Sequence, residues 1–231
     1  MRTSEVSVVL AHGAWADGSS WARVIGPVAE AGHAVVAAPL PLTSFDADVV
    51  ALERALERVR GPIVLVAHAY AGAVIGAARN ERVRALVYVT ALAPDQGERV
   101  ADVFYRTAPH PRAPKLAPDS HGLIYLPESA FAEAFAPNAT FEQQALLAAV
   151  QRPIDPACIS IPMPRAQWRE LPSWYLVAEQ DYMILPETQR FMAQRMQARV
   201  RAHVVDHAPI VTAPSVVVDI IREAIGEVGK R

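Results

Sequence analysis

Short apolar runs alternate with stretches of helical periodicity along most of this chain, and that alternation predicts its architecture. Runs near 6–11, 34–38, 62–67, 83–89, 172–178 and 200–205 read as strands. The intervening pattern predicts helices near 18–31, 45–60, 70–80, 186–198 and 210–228. Within 45–60, Val49, Leu52, Leu56 and Val59 recur at helical spacing with Glu and Arg between them, and the pattern stops before Gly61-Pro62. Strands that alternate with helices, and that are too apolar to face water on either side, predict an α/β class with a mostly parallel sheet covered on both faces.

The pattern breaks after the run at 83–89. Twelve of the nineteen prolines lie between positions 94 and 172, among short helical patterns at Glu98–Tyr105, Glu128–Phe135 and Phe141–Val150. So long a stretch is a poor fit for an ordinary loop and reads as a cap or lid insertion at 94–170, with 1–93 and 171–231 forming the core of a single domain. The insertion carries Phe104, Tyr105, Tyr125, Phe131, Phe135 and Trp168. Most of these are expected to pack it onto the core, and the remainder to line a pocket.

Composition narrows the functional classes. A chain of 231 residues, 52% hydrophobic and 20% charged, can bury one large core. A formal charge of −2, a pI near 6.4 and no basic run argue against a nucleic-acid partner. Cys158 is the one cysteine, so no disulfide framework forms and a reducing cytoplasm is the expected compartment. No signal-peptide pattern and no run of roughly 20 apolar residues is present, so no membrane association is expected.

Candidate chemistry centres on the stretch from Pro62 to Ile75: an apolar strand, the small-residue turn Ala67-His68-Ala69-Tyr70-Ala71, and an Ala-rich helical start. This is the layout of a nucleophile elbow, in which a strained turn displays one side chain and its neighbours two places away must be small. Ala67 and Ala71 are small, but the displayed residue, Ala69, carries a methyl group where a nucleophile is called for.

Two further segments accompany it in order: Val8-Val9-Leu10-Ala11-His12-Gly13-Ala14-Trp15 near the N-terminus, and Asp181 to Gln189 followed by Asp206-His207 toward the C-terminus. Together the three resemble the α/β-hydrolase fold superfamily, in particular its small esterase and hydroxynitrile-lyase-like branch. The resemblance implies the α/β-hydrolase fold, here with about six strands, fewer than that fold usually carries, so that an N-terminal hairpin is missing. It implies His207 as the catalytic histidine, Asp181 as its carboxylate and Ala69 at the nucleophile position. The backbone N–H groups of Ala14 and Tyr70 would form an oxyanion hole. Trp15 and Trp168 are the expected substrate contacts, and Asp95 is a second candidate for the acid. By position alone, His207 reads equally as a neighbour of a helix cap and Asp181 as a turn former; His12 and His68 read as structural strand-end residues.

The departures matter as much. That branch's lyases resemble a pattern with serine at the elbow, threonine after the first histidine and lysine after the last. Here those positions hold Ala69, Gly13 and Ala208, which points away from cyanohydrin cleavage. Three readings of Ala69 stay open: a natural serine replaced by alanine, a native alanine with His207 as general base on water or substrate, and a non-catalytic small-molecule binding protein. A small-molecule substrate or ligand is expected in each, with no cofactor and no metal: no G-x-G-x-x-G or phosphate-binding loop and no metal-ligand spacing occurs. Cys158 has no basic partner nearby in sequence to activate it as a substitute nucleophile.

Overall fold

A computed structural model describes residues 6–230. Its sheet contains β1 (Ser7–Ala11), β2 (Val35–Ala38), β3 (Ile63–His68), β4 (Val83–Val89), β5 (Ser173–Ala178) and β6 (Arg199–His203), in the order β2-β1-β3-β4-β5-β6 with every pair parallel. Helices α1 (Ala22–Glu30), α2 (Phe45–Glu57) and α3 (Ala71–Gly76) fall in the first half. Between β4 and β5 lie α4 (Val100–Phe104), α5 (Phe141–Val150) and α6 (Ala157–Ser160), and α7 (Pro186–Arg195), α8 (Pro209–Thr212) and α9 (Pro214–Val228) complete the chain.

Strand alternation splits the core in two. Val8, Leu10, Val64, Val66, Val87 and Trp174 point to one face, where Val24 of α1 and the Val217–Ile221 stripe of α9 cover them. Val9, Leu65, Leu86, Tyr88 and Tyr175 point to the other, under Leu52 and Leu56 of α2, Val74 of α3 and Met192 of α7. Because β1, β3 and β5 are buried along their whole length, they carry continuous apolar runs rather than an alternation of apolar and polar residues. At the exposed edge, Arg199 and Arg201 of β6 pair with Glu227 and Glu223 of α9.

The expected helices are all present but shortened or broken, two of them markedly. The helix expected at 70–80 ends at Gly76, and the one expected at 210–228 is split into α8 and α9 at Ala213, because Pro214 has no N–H to continue the ladder. α2 starts where Ser44 accepts a hydrogen bond from the Ala47 N–H, a cap that contributes about 1 kcal/mol.

The 94–170 segment packs on the α2–α3 face, and Phe131, Phe135 and Trp168 join the core cluster on that side. Trp15 ties it down, its N–H donating to the Arg152 carbonyl and its indole to the Ile124 carbonyl at 2.9 Å. Ile124 and Ile154 are themselves bridged in antiparallel fashion.

Candidate active site

The residues singled out by the sequence leave the sheet at one edge. Gly13 and Ala14 follow β1, Ala69 follows β3, Asp181 follows β5 and His207 follows β6, all at the carboxyl ends of their strands. That edge is where open α/β sheets place their ligands.

Ala69 has φ of +50°, the left-handed region that a residue with a Cβ enters at a cost of roughly 1 kcal/mol or more. Its carbonyl accepts from the N–H groups of Gly72 and Leu92, and its N–H donates to Val89, so the turn is held on three sides. Gly72 is indispensable to this packing, because a Cβ there would lie 2.2 Å from the Leu92 carbonyl oxygen. Gly13 is similarly confined: a Cβ would come within 2.8 Å of the Ala69 methyl.

Asp181 is buried and accepts four hydrogen bonds. Its Oδ1 takes the N–H groups of Met183 and Ile184 at 2.8 Å each; its Oδ2 takes Gln189 Nε2 and His207 Nδ1, also at 2.8 Å. An acceptor in all four directions leaves the Nδ1 proton of His207 pointing at the carboxylate, so the neutral ring presents Nε2 as a lone pair. Nε2 has no protein partner among the described residues, and His207 lines a cavity together with Ala14, Trp15, Ala69 and Tyr70. The backbone N–H groups of Ala14 and Tyr70 likewise find no acceptor among the described residues.

Buried hydrogen bonds hold the scaffold around this dyad, with His68 Nδ1 left unpaired among the described residues. The His207 carbonyl accepts from His68 Nε2 at 2.8 Å and from the Thr90 hydroxyl at 3.0 Å. Phe135 meets both the His68 and His207 rings edge-on. Burial, reinforced by the neighbouring His207, pushes the His68 pKa down to about 3, and burial lowers that of His12 as well. Asp206 receives the Asn138 and Ala208 N–H groups and the Thr212 hydroxyl, which fixes the loop that carries His207; burial raises its pKa. Behind the elbow, the Tyr70 phenol donates to buried Asp48 at 2.7 Å, and the same carboxylate takes the Leu42 N–H. Burial raises the pKa of Asp48 and, with Asp48 alongside, pushes the Cys158 thiol up to about 12, leaving the thiol inert. Among the described residues, no three His, Cys, Asp or Glu side chains come together as a metal site.

The model of the alpha/beta hydrolase family matches residues 8–220. The chain belongs to the alpha/beta hydrolase family. Solved structures agree at the level of the fold. Polyneuridine aldehyde esterase superposes with a TM-score of 0.82 at 17% identity, covering 95% of this chain and 98% of that one. A pyrethroid hydrolase from Sphingobium faniae gives 0.80 at 18% identity, covering 98% and 100%. A methylesterase from Arabidopsis gives 0.79 at 13% identity, covering 96% and 99%. No curated protein matches at a significant level.

Within this alpha/beta hydrolase chain, the sequence-selected residues separate into those that meet and those that do not. Ala14, Trp15, Ala69, Tyr70 and His207 share one cavity, with Asp181 directly behind His207. Trp168, expected to contact substrate, does not line it: its indole donates to the Pro94 carbonyl and Arg169 and Arg195 lie over its ring, so it wedges the segment against the core. Asp95 is held by Arg169 at the surface and is not the partner of His207. Of the aromatic residues in 94–170, Phe104 and Tyr105 reach the cavity, while Phe131 and Phe135 pack in the core and Tyr125 is exposed. Sequence reading passed over Gln189, Asp48 and Gly72. Only Gly72 carried a local signal, as a glycine one residue after the small turn.

Proposed function

We propose that this protein acts on a small apolar carbonyl compound in an esterase-like site, with His207, oriented by Asp181, as the general base and the N–H groups of Ala14 and Tyr70 as the oxyanion hole. The observation that carries the reading is the unpartnered Nε2 of His207 facing the same cavity as the Ala69 turn and two unpartnered backbone N–H groups. An imidazole held at Nδ1 by a carboxylate takes a proton at Nε2, and two convergent N–H groups stabilise the negative oxygen that develops on an attacked carbonyl. With a methyl group at position 69 the proton comes from a bound water or from the substrate, and no acyl-enzyme forms. The 94–170 segment serves as the cap that shields this chemistry from bulk water. The structural neighbours, esterases and a hydrolase, support the reading of a carbonyl substrate.

A second reading has its own observation. Ala69 holds a left-handed backbone that a methyl group gives no reason to maintain, whereas a serine there would be displayed toward His207. Ala69→Ser tests both readings together. Loss of the serine in such a triad typically costs about 10⁶ in kcat, so the variant is expected to hydrolyse a short-chain nitrophenyl ester at least ~10³-fold faster than the parent chain. No gain in a folded Ala69→Ser protein would show that base, acid and oxyanion hole are not aligned for carbonyl chemistry. Turnover by the parent chain that vanishes in His207→Ala would support the general-base route; a parent that binds carbonyl compounds without turning them over would leave the binding-protein alternative.

A further inference from the structure

The cavity at Ala69 and His207 is small, about 50 Å³. A single water needs about 10–15 Å³, so the chamber holds only a few atoms beyond a carbonyl group. It falls well short of the ~300–1,000 Å³ usual for a small-molecule site. A second chamber of about 470 Å³ lies against it, and Phe104, Tyr105, Leu116 and Met183 line both and stand between them.

The outer wall is anchored to the core. Thr107 is hydrogen-bonded to Thr188 of α7, and Tyr182, the residue after Asp181, carries the His110 ring stacked at 4.4 Å and the Arg112 guanidinium 4.6 Å from its ring centre. The lining is mostly aliphatic, aromatic and proline; its titratable groups are Tyr105, His110 and Lys115, and no carboxylate faces in. Such a wall offers apolar contact, no carboxylate to pair with a positive charge, and the Lys115 ammonium to repel one.

We propose that the outer chamber is a second subsite, which takes the larger, apolar half of the carbonyl compound while the carbonyl group and a substituent of a few atoms occupy the inner chamber. The substrate class is therefore asymmetric: a small inner substituent such as methyl, and a bulky outer arm, neutral or anionic, of arylalkyl or alicyclic type. This inference rests on the reading of the inner chamber as a carbonyl site.

Non-hydrolysable ketones test it on the chain as it stands. The probes are phenylbutyl methyl ketone, followed by calorimetry, and butanone, followed by chemical-shift titration. Ala113→Trp and Ala108→Trp, on half-buried and exposed positions of the outer wall, fill the outer chamber; Ile159→Trp fills the inner one. The expected result is at least a tenfold loss of phenylbutyl methyl ketone affinity in both outer variants with butanone binding unchanged, and loss of both ketones in Ile159→Trp. An analogue of the larger ketone with a terminal ammonium should bind at least tenfold more weakly than the parent ketone. Unchanged affinity for the larger ketone in both outer variants, with loss in Ile159→Trp, overturns the outer subsite and leaves the inner site standing. Failure of both ketones to bind the unmodified chain overturns both.

Discussion

The turn around Ala69 and the 94–170 segment face each other across one cavity and are built on opposite principles. Around the turn, most buried polar atoms are paired: Asp181 accepts four hydrogen bonds, the His207 carbonyl two, and Ala69 is held in a left-handed conformation by its own N–H and carbonyl. The segment presents aliphatic and aromatic side chains to the cavity and keeps ion pairs such as Arg99–Asp102 and Arg165–Glu170 at its surface, where water screens them. Chemistry requires particular atoms at particular distances; enclosure requires only volume. The two regions should therefore respond very differently to the same kind of change.

The largest contrast is expected in the dyad. In the Ala69→Ser background, Asp181→Asn should lower ester hydrolysis by about 10⁴, because an amide facing Nδ1 favours the wrong imidazole tautomer. Tyr105→Ala, in the segment, should change it by less than tenfold. Comparable losses in steady-state kcat/KM would erase the distinction between the two regions.

Glycines provide a contrast in stability. Gly72→Ala forces a Cβ against the Leu92 carbonyl and should cost about 3 kcal/mol or more, or prevent folding. Gly122→Ala, in the segment, meets no atom within 4 Å and bears only the strain of a φ of +84°, about 1 kcal/mol. Urea unfolding of the two variants measures both; equal costs would mean that the close approach at Gly72 relaxes freely.

The smallest effect concerns acid, at the point where the regions touch. Because the folded-state pKa of His68 is lowered from 6.5 to about 3, its contribution to stability is present above 6.5 and is lost as pH falls toward 3. At about 1.4 kcal/mol per pH unit, lowering the pH from 7 to 5 should cost about 2 kcal/mol, with His12 shifting in the same direction. Asp48 and Asp206, whose pKa values are raised, act oppositely: their contribution is present below 3.8 and is lost as pH rises through their folded-state values. His68→Asn should flatten the loss between pH 7 and 5 in denaturant titrations. An unchanged slope would assign the acid sensitivity elsewhere.

Much of this molecule could be read before it was folded. The six strands emerged within a residue or two of their final bounds, because a parallel strand buried on both faces is a short uninterrupted apolar run. The Val8–Trp15 segment, the Ala69 turn and the segments carrying Asp181 and His207 are visible in that order as three local motifs. The helix at 210–228 was read as continuous although Pro214 divides it, since its apolar spacing runs through the break. Trp168, an expected substrate contact, lies outside the lining of the Ala69 cavity; an aromatic residue in an insertion has the same local signature whether it faces a cavity or wedges two elements together.

By itself, then, the sequence determined the α/β layering, the strand-end positions of the candidate chemical groups and the methyl group at position 69. Those properties are local: they depend on periodicity and on the residue types within a few positions. Tertiary structure alone decided that Asp181 rather than Asp95 meets His207, that Gln189 and Phe135 hold the dyad, and that Phe104, Tyr105, Leu116 and Met183 stand between two cavities. Each of these is a contact between residues far apart in the chain, and its geometry comes from how the sheet, α7 and the 94–170 segment pack, which no local pattern encodes.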